Sequence, residues 1–397
     1  PQQTPTTTMP SSPSAADVAS SLLARNGFQL QDLKVIQSLW AGYGQICCVT
    51  DQQGQSYVLK LITPPPTKAN DEGHTRKILS YQVEQYFYSH LAPQLPPSIP
   101  VANCLGSINE HHVDGTSTTA MLLNDLRQQF PVAGEKRNVL SATQVNAALD
   151  WLSGFHGFWW ARVKDLTHSS LVLPPLEEVQ DDGQDASEKT VWLNGGYTYL
   201  ATRRKEYEGL VMDDESEWSM ALTSQTGNEA QTLAERVAAF LAPALSGPTQ
   251  IERYQTLIHG DVKSENLFTS KSGEEVAFYD FQYVGLGLGV CDLAKLFTCS
   301  IPLDILVANR NIPHELPMQD GEKTLLERYW KKLKETGKQE YEWKVFVLHW
   351  EAALVDWLRF QASWGFWGNT QWLEARVRNI LKDPDWIKKL ETSISKS

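Results

Sequence analysis

The stretch from Leu257 to Phe297, LIHGDVKSENLFTSKSGEEVAFYDFQYVGLGLGVCDLAKLF, constrains this chain more than any other. Leu257 and Ile258 are a short apolar lead-in to a loop that carries His259, Asp261, Lys263 and Asn266. A second apolar run, Val276 to Tyr279, ends at Asp280. The pattern is a polar cluster strung between two buried strands.

Those residue types in that order fit one chemistry. Moving a phosphoryl group from a nucleotide to a hydroxyl is mainly a matter of positioning and charge neutralisation. A carboxylate must accept or orient the hydroxyl proton, and an amide oxygen with a second carboxylate must hold magnesium on the phosphates. Asp261, Asn266 and Asp280 supply this set, and magnesium keeps several waters, so two side-chain ligands suffice. Any one of these residues alone is as well explained by a solvated turn; the register of all of them favours a nucleotide site.

His-Gly-Asp at 259–261, Asn five residues after the Asp, and Asp-Phe-Gln beginning fourteen after the Asn resemble the aminoglycoside phosphotransferase and choline kinase group. The closest likeness is to its choline-kinase-like and ecdysteroid-kinase-like branch, and Arg76 to Tyr88, RKILSYQVEQYFY, resembles the same branch. The resemblance implies an α+β, bilobal protein-kinase-like fold, with a small antiparallel-sheet N-terminal lobe and a large, mainly helical C-terminal lobe. It also implies that Asp261 is the catalytic base, that Asn266 and Asp280 bind magnesium, and that ATP is the donor. Lys263 is expected to assist Asp261, whereas His259 is expected to hold the loop. Asp292, which opens Asp-Leu-Ala, is expected to fix the loop backbone.

Composition bounds the partners. A net charge of −12 argues against nucleic acid, because a phosphate-binding surface needs clustered Lys and Arg. With 42% hydrophobic and 21% charged residues the chain can bury a large core. The five cysteines lack zinc-type spacing and read as free thiols in a reducing compartment. No apolar run is long enough to span a bilayer, and none at the N-terminus resembles a signal peptide, so the cytoplasm is the expected location.

Residues 1–14 are polar and rich in Pro, Ser and Thr, and are expected to be a disordered tail. A short helix is expected over 15–24, then strands over 33–39, 46–50 and 57–62. Gly42 and Gly44 lie in the first connection, where a kinase-like fold covers the ATP phosphates, although a Gly-X-Gly turn also makes an ordinary hairpin. Lys60 falls inside the apolar third strand, where an unpaired ammonium is costly. Glu84, in a helix expected over 74–91, is its expected partner in holding the nucleotide phosphates. Strands over 99–105 and 120–123 would complete the sheet, with Asn124 to Leu126 as the adenine-binding hinge. The N-terminal nucleotide-binding lobe is therefore expected over 15–123 and the catalytic, acceptor-binding lobe over 124–397.

In the second lobe a long amphipathic helix over 141–163 carries His156, read as a packed core histidine. An acidic surface insertion is expected over 164–190, and Gly196 to Arg203, GYTYLATR, is expected to border the acceptor site. Further helices are expected over 231–241, 323–335, 341–363 and 370–382. Trp364, Trp367 and Trp372 form an aromatic cluster that serves either as core or, with Gln282, as an acceptor pocket; aromatic faces attract cations and also suit flat apolar alcohols. The acceptor is thus a small hydroxylated metabolite, either a choline-like amino alcohol or an aromatic, sterol or terpenoid alcohol.

Three other functions fit parts of the pattern. A Ser/Thr protein kinase also places Lys two residues after the base, but the eleven residues between Asp280 and Asp292 cannot build an activation segment and a peptide platform. A silent nucleotide-binding scaffold would not need all of Lys60, Asp261, Asn266 and Asp280. A metal-dependent hydrolase would not need Lys60 with Glu84.

Overall fold

Ser14 opens the first helix, α1 (Ala15–Ala24), with a reciprocal cap. Its hydroxyl accepts from Asp17 N at 3.2 Å, and Ser14 N donates to the Asp17 carboxylate at 3.1 Å. Buried Ala15, Val18, Ala19, Leu22 and Leu23 recur at helical spacing, so α1 has one apolar face. That face packs on Cys47, Val49, Leu59, Leu61, Ala120 and Leu122, which alternate along three strands. Each fully buried leucine there contributes about 2 kcal/mol of transfer free energy.

In this computed structural model the described residues are 13–65, 71–111, 117–166, 170–180, 188–225, 230–242 and 252–395. Most of the expected N-terminal tail, and residues 167–169 and 181–187 of the expected acidic insertion, lie outside them. The chain groups into two compact units, one from residues 1–68 and 102–125 and the other from 69–101 and 126–397.

The smaller unit holds α1 and the strands β1 (Leu30–Ser38), β2 (Gly44–Asp51), β3 (Ser56–Ile62), β4 (Cys104–His111) and β5 (Ser117–Asn124). They form an antiparallel sheet in the order β1-β2-β3-β5-β4. Strand β3 is central, and its Tyr57, Leu59 and Leu61 face α1. Period-two alternation sends Lys60 to the opposite face, between Ile46 of β2 and Met121 of β5. The strand expected over 99–105 starts only at Cys104. Pro96, Pro97 and Pro100 lack backbone donors, and Ile99 sits in a turn instead, its N–H donating to Pro96 O at 2.9 Å.

The larger unit is mainly helical. It begins with α2 (Glu72–Tyr86), which passes into a π-helical turn over Phe87–Leu91. There follow β6 (Val132–Ala133), α3 (Ala142–Trp160), α4 (Pro175–Glu178), α5 (Arg204–Val211), α6 (Glu217–Thr223) and α7 (Leu233–Leu241). The strands β7 (Thr256–Ile258), β8 (Leu267–Thr269), β9 (Val276–Phe278) and β10 (Gly285–Gly287) come next. The unit closes with α8 (Val290–Cys299), α9 (Leu303–Leu306), α10 (Asp320–Gly337), α11 (Trp343–Trp364), α12 (Thr370–Leu381) and α13 (Pro384–Ser395). The α+β class expected from the sequence is observed, with an antiparallel N-terminal sheet and a helical C-terminal part.

Two small antiparallel pairings carry the diagnostic stretch: β7 with β10, and β8 between β6 and β9. All three residues of β7 and of β9 are buried, as expected for the strands flanking the polar cluster. Helix α11 runs through the helical core and packs on α7, α8 and α12. Among the described residues no helix is long and apolar enough to cross a membrane.

Candidate active site

The loop that follows β7 is held from behind by α8. Asp292, with no exposed surface, accepts from the backbone N–H of His259 at 2.7 Å and of Gly260 at 2.9 Å. The same carboxylate meets His156 Nε2 at 3.1 Å, and His156 Nδ1 lies 2.7 Å from the Tyr329 hydroxyl. His156 is thus a core residue with both ring nitrogens engaged. Burial would raise the Asp292 carboxyl, but His156 and Lys295 hold it below the usual range. From the same helix the buried ammonium of Lys295 donates to the Gly260 carbonyl.

Gly260 itself is irreplaceable in this geometry. Its φ is +87°, and a Cβ there would lie 2.2 Å from the Tyr283 carbonyl oxygen. Beside it, His259 works on two backbones at once. Its Nδ1 accepts from Asp261 N at 3.2 Å, which leaves Nε2 to donate to Tyr279 O at 2.9 Å. Burial depresses its basicity, so the ring is neutral and keeps the tautomer these two bonds require.

Asp261 projects from this frame, partly exposed. Asn266 Nδ2 donates to Asp261 Oδ2 at 3.0 Å and to the Asp261 carbonyl at 2.8 Å, while Lys263 Nζ lies 3.0 Å from Oδ2. Burial alone would raise the Asp261 carboxyl, but Lys263 and Lys295 hold it below the usual carboxylate range. The converse holds at Lys263, where burial is outweighed by Asp261 and the ammonium becomes harder to deprotonate.

The second carboxylate is placed by a strained residue. Tyr279 N donates to Asn266 O at 3.0 Å, which pins the end of β9 to the loop. Asp280 then turns left-handed, with φ +65°, a conformation that costs a non-glycine residue about 1–2 kcal/mol. Phe281 takes up that turn by burying its ring completely, stacked on Phe87 with centroids 3.9 Å apart and edge-on to Tyr88. The π-helical turn of 87–91 therefore anchors the residue after Asp280.

No group of three or more His, Cys, Asp or Glu that could hold a metal ion occurs among the described residues. Asn266 and Asp280 still suit a magnesium ion that takes its other ligands from water and phosphate. With the amide nitrogen of Asn266 committed twice to Asp261, its oxygen is left on the opposite side of the planar group as a donor atom.

The expected acceptor residues separate. Trp364 is 55% exposed and Trp367 is partly exposed, whereas Trp372, a buried residue of α12, has no exposed surface. The Gln282 side chain donates to Ser80 Oγ of α2 at 3.0 Å, and the Gln282 backbone carbonyl accepts from Trp192 Nε1 at 2.9 Å. The 196–203 segment does border the loop: Tyr197 N donates to Gly260 O at 3.1 Å, and the Tyr197 ring lies edge-on to Tyr283 and Phe360.

The residues expected to bind nucleotide are distributed over both units. In the smaller one Lys60 is 7% exposed on β3. Gly42 lies in the turn between β1 and β2, and its N–H donates to Leu39 O at 3.3 Å. Gly44 begins β2, where a Cβ would lie 2.0 Å from Leu61 O, so the hairpin by itself accounts for this glycine. Asn124 ends β5, its N–H donating to Asn103 O at 3.0 Å and its Oδ1 accepting from Asn103 N at 2.6 Å. In the larger unit Glu84 is buried in α2, and Leu126 is buried in a short 3₁₀ turn.

Sequence reasoning did not identify Lys295 or Arg203. Lys295 follows Asp292 by three residues on α8, and that helical spacing was a usable signal. Arg203 was named only as the end of the 196–203 segment: its bonds to Tyr197 O and Glu206 are local, but the rings of Phe360 and Trp364 that it meets lie far along the chain.

The solved structures to which the chain is similar include a macrolide 2'-phosphotransferase from Brachybacterium faecium (13% identity, 95% of this chain and 97% of that one, TM-score 0.42). A choline kinase from Cryptosporidium parvum matches at 11% identity over 92% of this chain and 89% of that one, with TM-score 0.42. A putative fructosamine-3-kinase from Thermobifida fusca matches at 14% identity over 93% and 100%, with TM-score 0.44. None of the curated proteins compared matches the chain. The model of the ecdysteroid kinase-like family matches residues 47–339, a span containing the Asp261, Asn266 and Asp280 loop, and the chain accordingly belongs to that family of kinase-like small-molecule phosphotransferases.

Proposed function

We propose that this protein transfers the γ-phosphoryl group of ATP to a hydroxyl of a small metabolite. The observation that carries the reading is the triangle around Asp261: one carboxylate oxygen shared by the Asn266 amide and the Lys263 ammonium, both at 3.0 Å. Such a carboxylate is fixed in direction and ready to accept the hydrogen bond of an incoming hydroxyl.

Because neighbouring cations weaken Asp261 as a base, its main contribution is orientation, with the proton passing to it late, as a loose phosphoryl-transfer transition state permits. Lys263 offsets negative charge beside the reacting oxygen. Asn266 and Asp280 are the proposed magnesium ligands, and the bound ion supplies charge neutralisation on the phosphate oxygens. His259 and Asp292 act through the backbone and never touch substrate. Lys60 is assigned to the nucleotide phosphates, and Glu84 to the nucleotide-binding set. Gly42, Gly44, Asn124 and Leu126 are assigned to nucleotide contacts through the main chain. The acceptor is a small alcohol, either a choline-like amino alcohol or an aromatic, sterol or terpenoid alcohol. The five cysteines, none of them in a disulfide among the described residues, support a reducing, cytoplasmic setting.

The test is Asp261→Asn. ATP with magnesium should still raise the melting temperature of the variant, while acceptor-dependent ATP consumption, screened over amino alcohols, sterols, sugars and aromatic alcohols, drops by roughly 10²–10⁴. Turnover retained by the variant would show that Asp261 is not the carboxylate that receives the acceptor hydroxyl.

A further inference from the structure

Beside the Asp261 loop lies an aromatic wall that already contains a cation. The guanidinium carbon of Arg203 stands 4.0 Å from the ring centroid of Tyr197, 5.4 Å from that of Trp364 and 5.7 Å from that of Phe360. All three distances fall within the range over which a ring face attracts a cation. Arg203 is only 2% exposed, and it is held in place by its own bonds: Nε donates to Tyr197 O at 2.8 Å and Nη1 to Glu206 at 3.1 Å. Glu206 is shared, since Arg76 Nη2 approaches it to 3.9 Å. Arg76 also approaches Glu72 to 3.8 Å, so two carboxylates match the two guanidiniums of this group.

The outer part of the wall remains open, with Trp364 55% exposed. Tyr197 ties it to the loop through its bond to Gly260 O, the residue before Asp261. The Asp261 charge also helps raise the Tyr197 phenol, second to burial and opposed by Arg203, which places the ring within electrostatic reach of the carboxylate.

From this arrangement we infer that Arg203 determines acceptor specificity: by occupying the cation-binding faces of Tyr197, Phe360 and Trp364, it makes the wall beside Asp261 select an uncharged apolar group and reject an ammonium. A second cation laid on Trp364 would meet a ring already polarised toward Arg203 and would be repelled through a poorly solvated interior. An uncharged apolar body meets only favourable contact there. The inference rests on Asp261 being the acceptor-facing carboxylate.

A matched pair of probes isolates charge from shape: choline, and its neutral analogue in which carbon replaces the quaternary nitrogen. Binding of each to the full chain is followed by tryptophan fluorescence. The wild type should bind the neutral probe about tenfold more tightly, Arg203→Met should erase or invert that preference, and Arg203→Lys should keep it. A wild type that prefers choline, or a folded Arg203→Met variant with an unchanged ratio, would overturn the inference. Should Arg203→Met not fold, Trp364→Leu replaces it: affinity for the neutral probe should fall several-fold, and an unchanged affinity would equally overturn the inference. Magnesium-ATP stabilisation of the wild type is measured alongside. Its absence would sink the phosphotransferase reading, while the probe ratio would still report on Arg203.

Discussion

Asn266 donates twice to Asp261, to its carboxylate at 3.0 Å and to its carbonyl at 2.8 Å, so the two residues five positions apart form one rigid unit. This explains why their spacing was the most informative signal in the chain: the loop has to close on itself for the amide to reach back. It also means that Asn266 orients Asp261 as well as offering an oxygen to a metal ion.

Asn266→Asp should therefore be harmful even though the new carboxylate still offers an oxygen to a metal ion. The new carboxylate would face Asp261 with like charge and no donor, and turnover should fall roughly a hundredfold through misplacement alone. Raising the magnesium concentration should restore little of it. Full recovery at high magnesium would show that altered metal affinity, not misplacement of Asp261, was the whole effect, and steady-state kinetics over a magnesium series reads this directly.

Removing Asp292 tests the frame. Asp292→Ala strands the N–H groups of His259 and Gly260 in a site with no exposed surface, and each unsatisfied buried donor costs about 1–3 kcal/mol. The variant should lose about 3 kcal/mol of unfolding free energy, read as a lower urea midpoint with an unchanged slope. A loss of activity without a loss of stability would point to direct contact with substrate instead.

At Asp280 the backbone separates two roles. Glycine accepts the φ of +65° freely and alanine does not, so Asp280→Gly should be about 1 kcal/mol more stable than Asp280→Ala. Both variants should lose magnesium-ATP affinity to the same extent, because both lack the carboxylate. Thermal melts with and without nucleotide distinguish the two effects.

Two neighbours on α11 make stability depend on pH in opposite senses. Burial lowers His349 from 6.5 to about 3, so between those values the unfolded chain takes up a proton that the native state refuses, and stability is lost as pH falls. Burial raises Glu351 from 4.5 to about 7, so the native state holds a proton that the unfolded chain gives up, and stability is lost as pH rises through that window. The difference in stability between wild type and His349→Gln should change by roughly 1.4 kcal/mol per pH unit below 6.5, to the disadvantage of the wild type at low pH. The difference from Glu351→Gln should run the other way. Denaturation midpoints from pH 4 to 8 check both signs.

The order of polar residues along 257–297, the period-two strands and the capped apolar face of α1 were all legible in the sequence, because each depends on residues close together in the chain. Helix α1 spans the expected 15–24, and the apolar runs before Asp261 and Asp280 are buried strands. The strand expected over 99–105 begins only at Cys104, where Pro100 removes a ladder donor and Ile99 is held in the turn that follows Pro96 and Pro97. Helix α13 was not anticipated at all.

What the amino-acid sequence alone determined was which groups are available and in what order: Asp261, Asn266 and Asp280 on one loop-strand-turn unit, with Lys60 inside an apolar strand. Tertiary structure decided how each is used. It buried Trp372 and exposed Trp364, although both belong to one aromatic cluster, because exposure depends on which helices cover a face. It brought Lys295 to the Gly260 carbonyl and set Arg203 among rings whose residues lie up to 161 positions away, and it forced Asp280 into a left-handed turn. These are contacts between distant segments, and their free energy is realised only when the helical core closes, so no local pattern in the sequence records them.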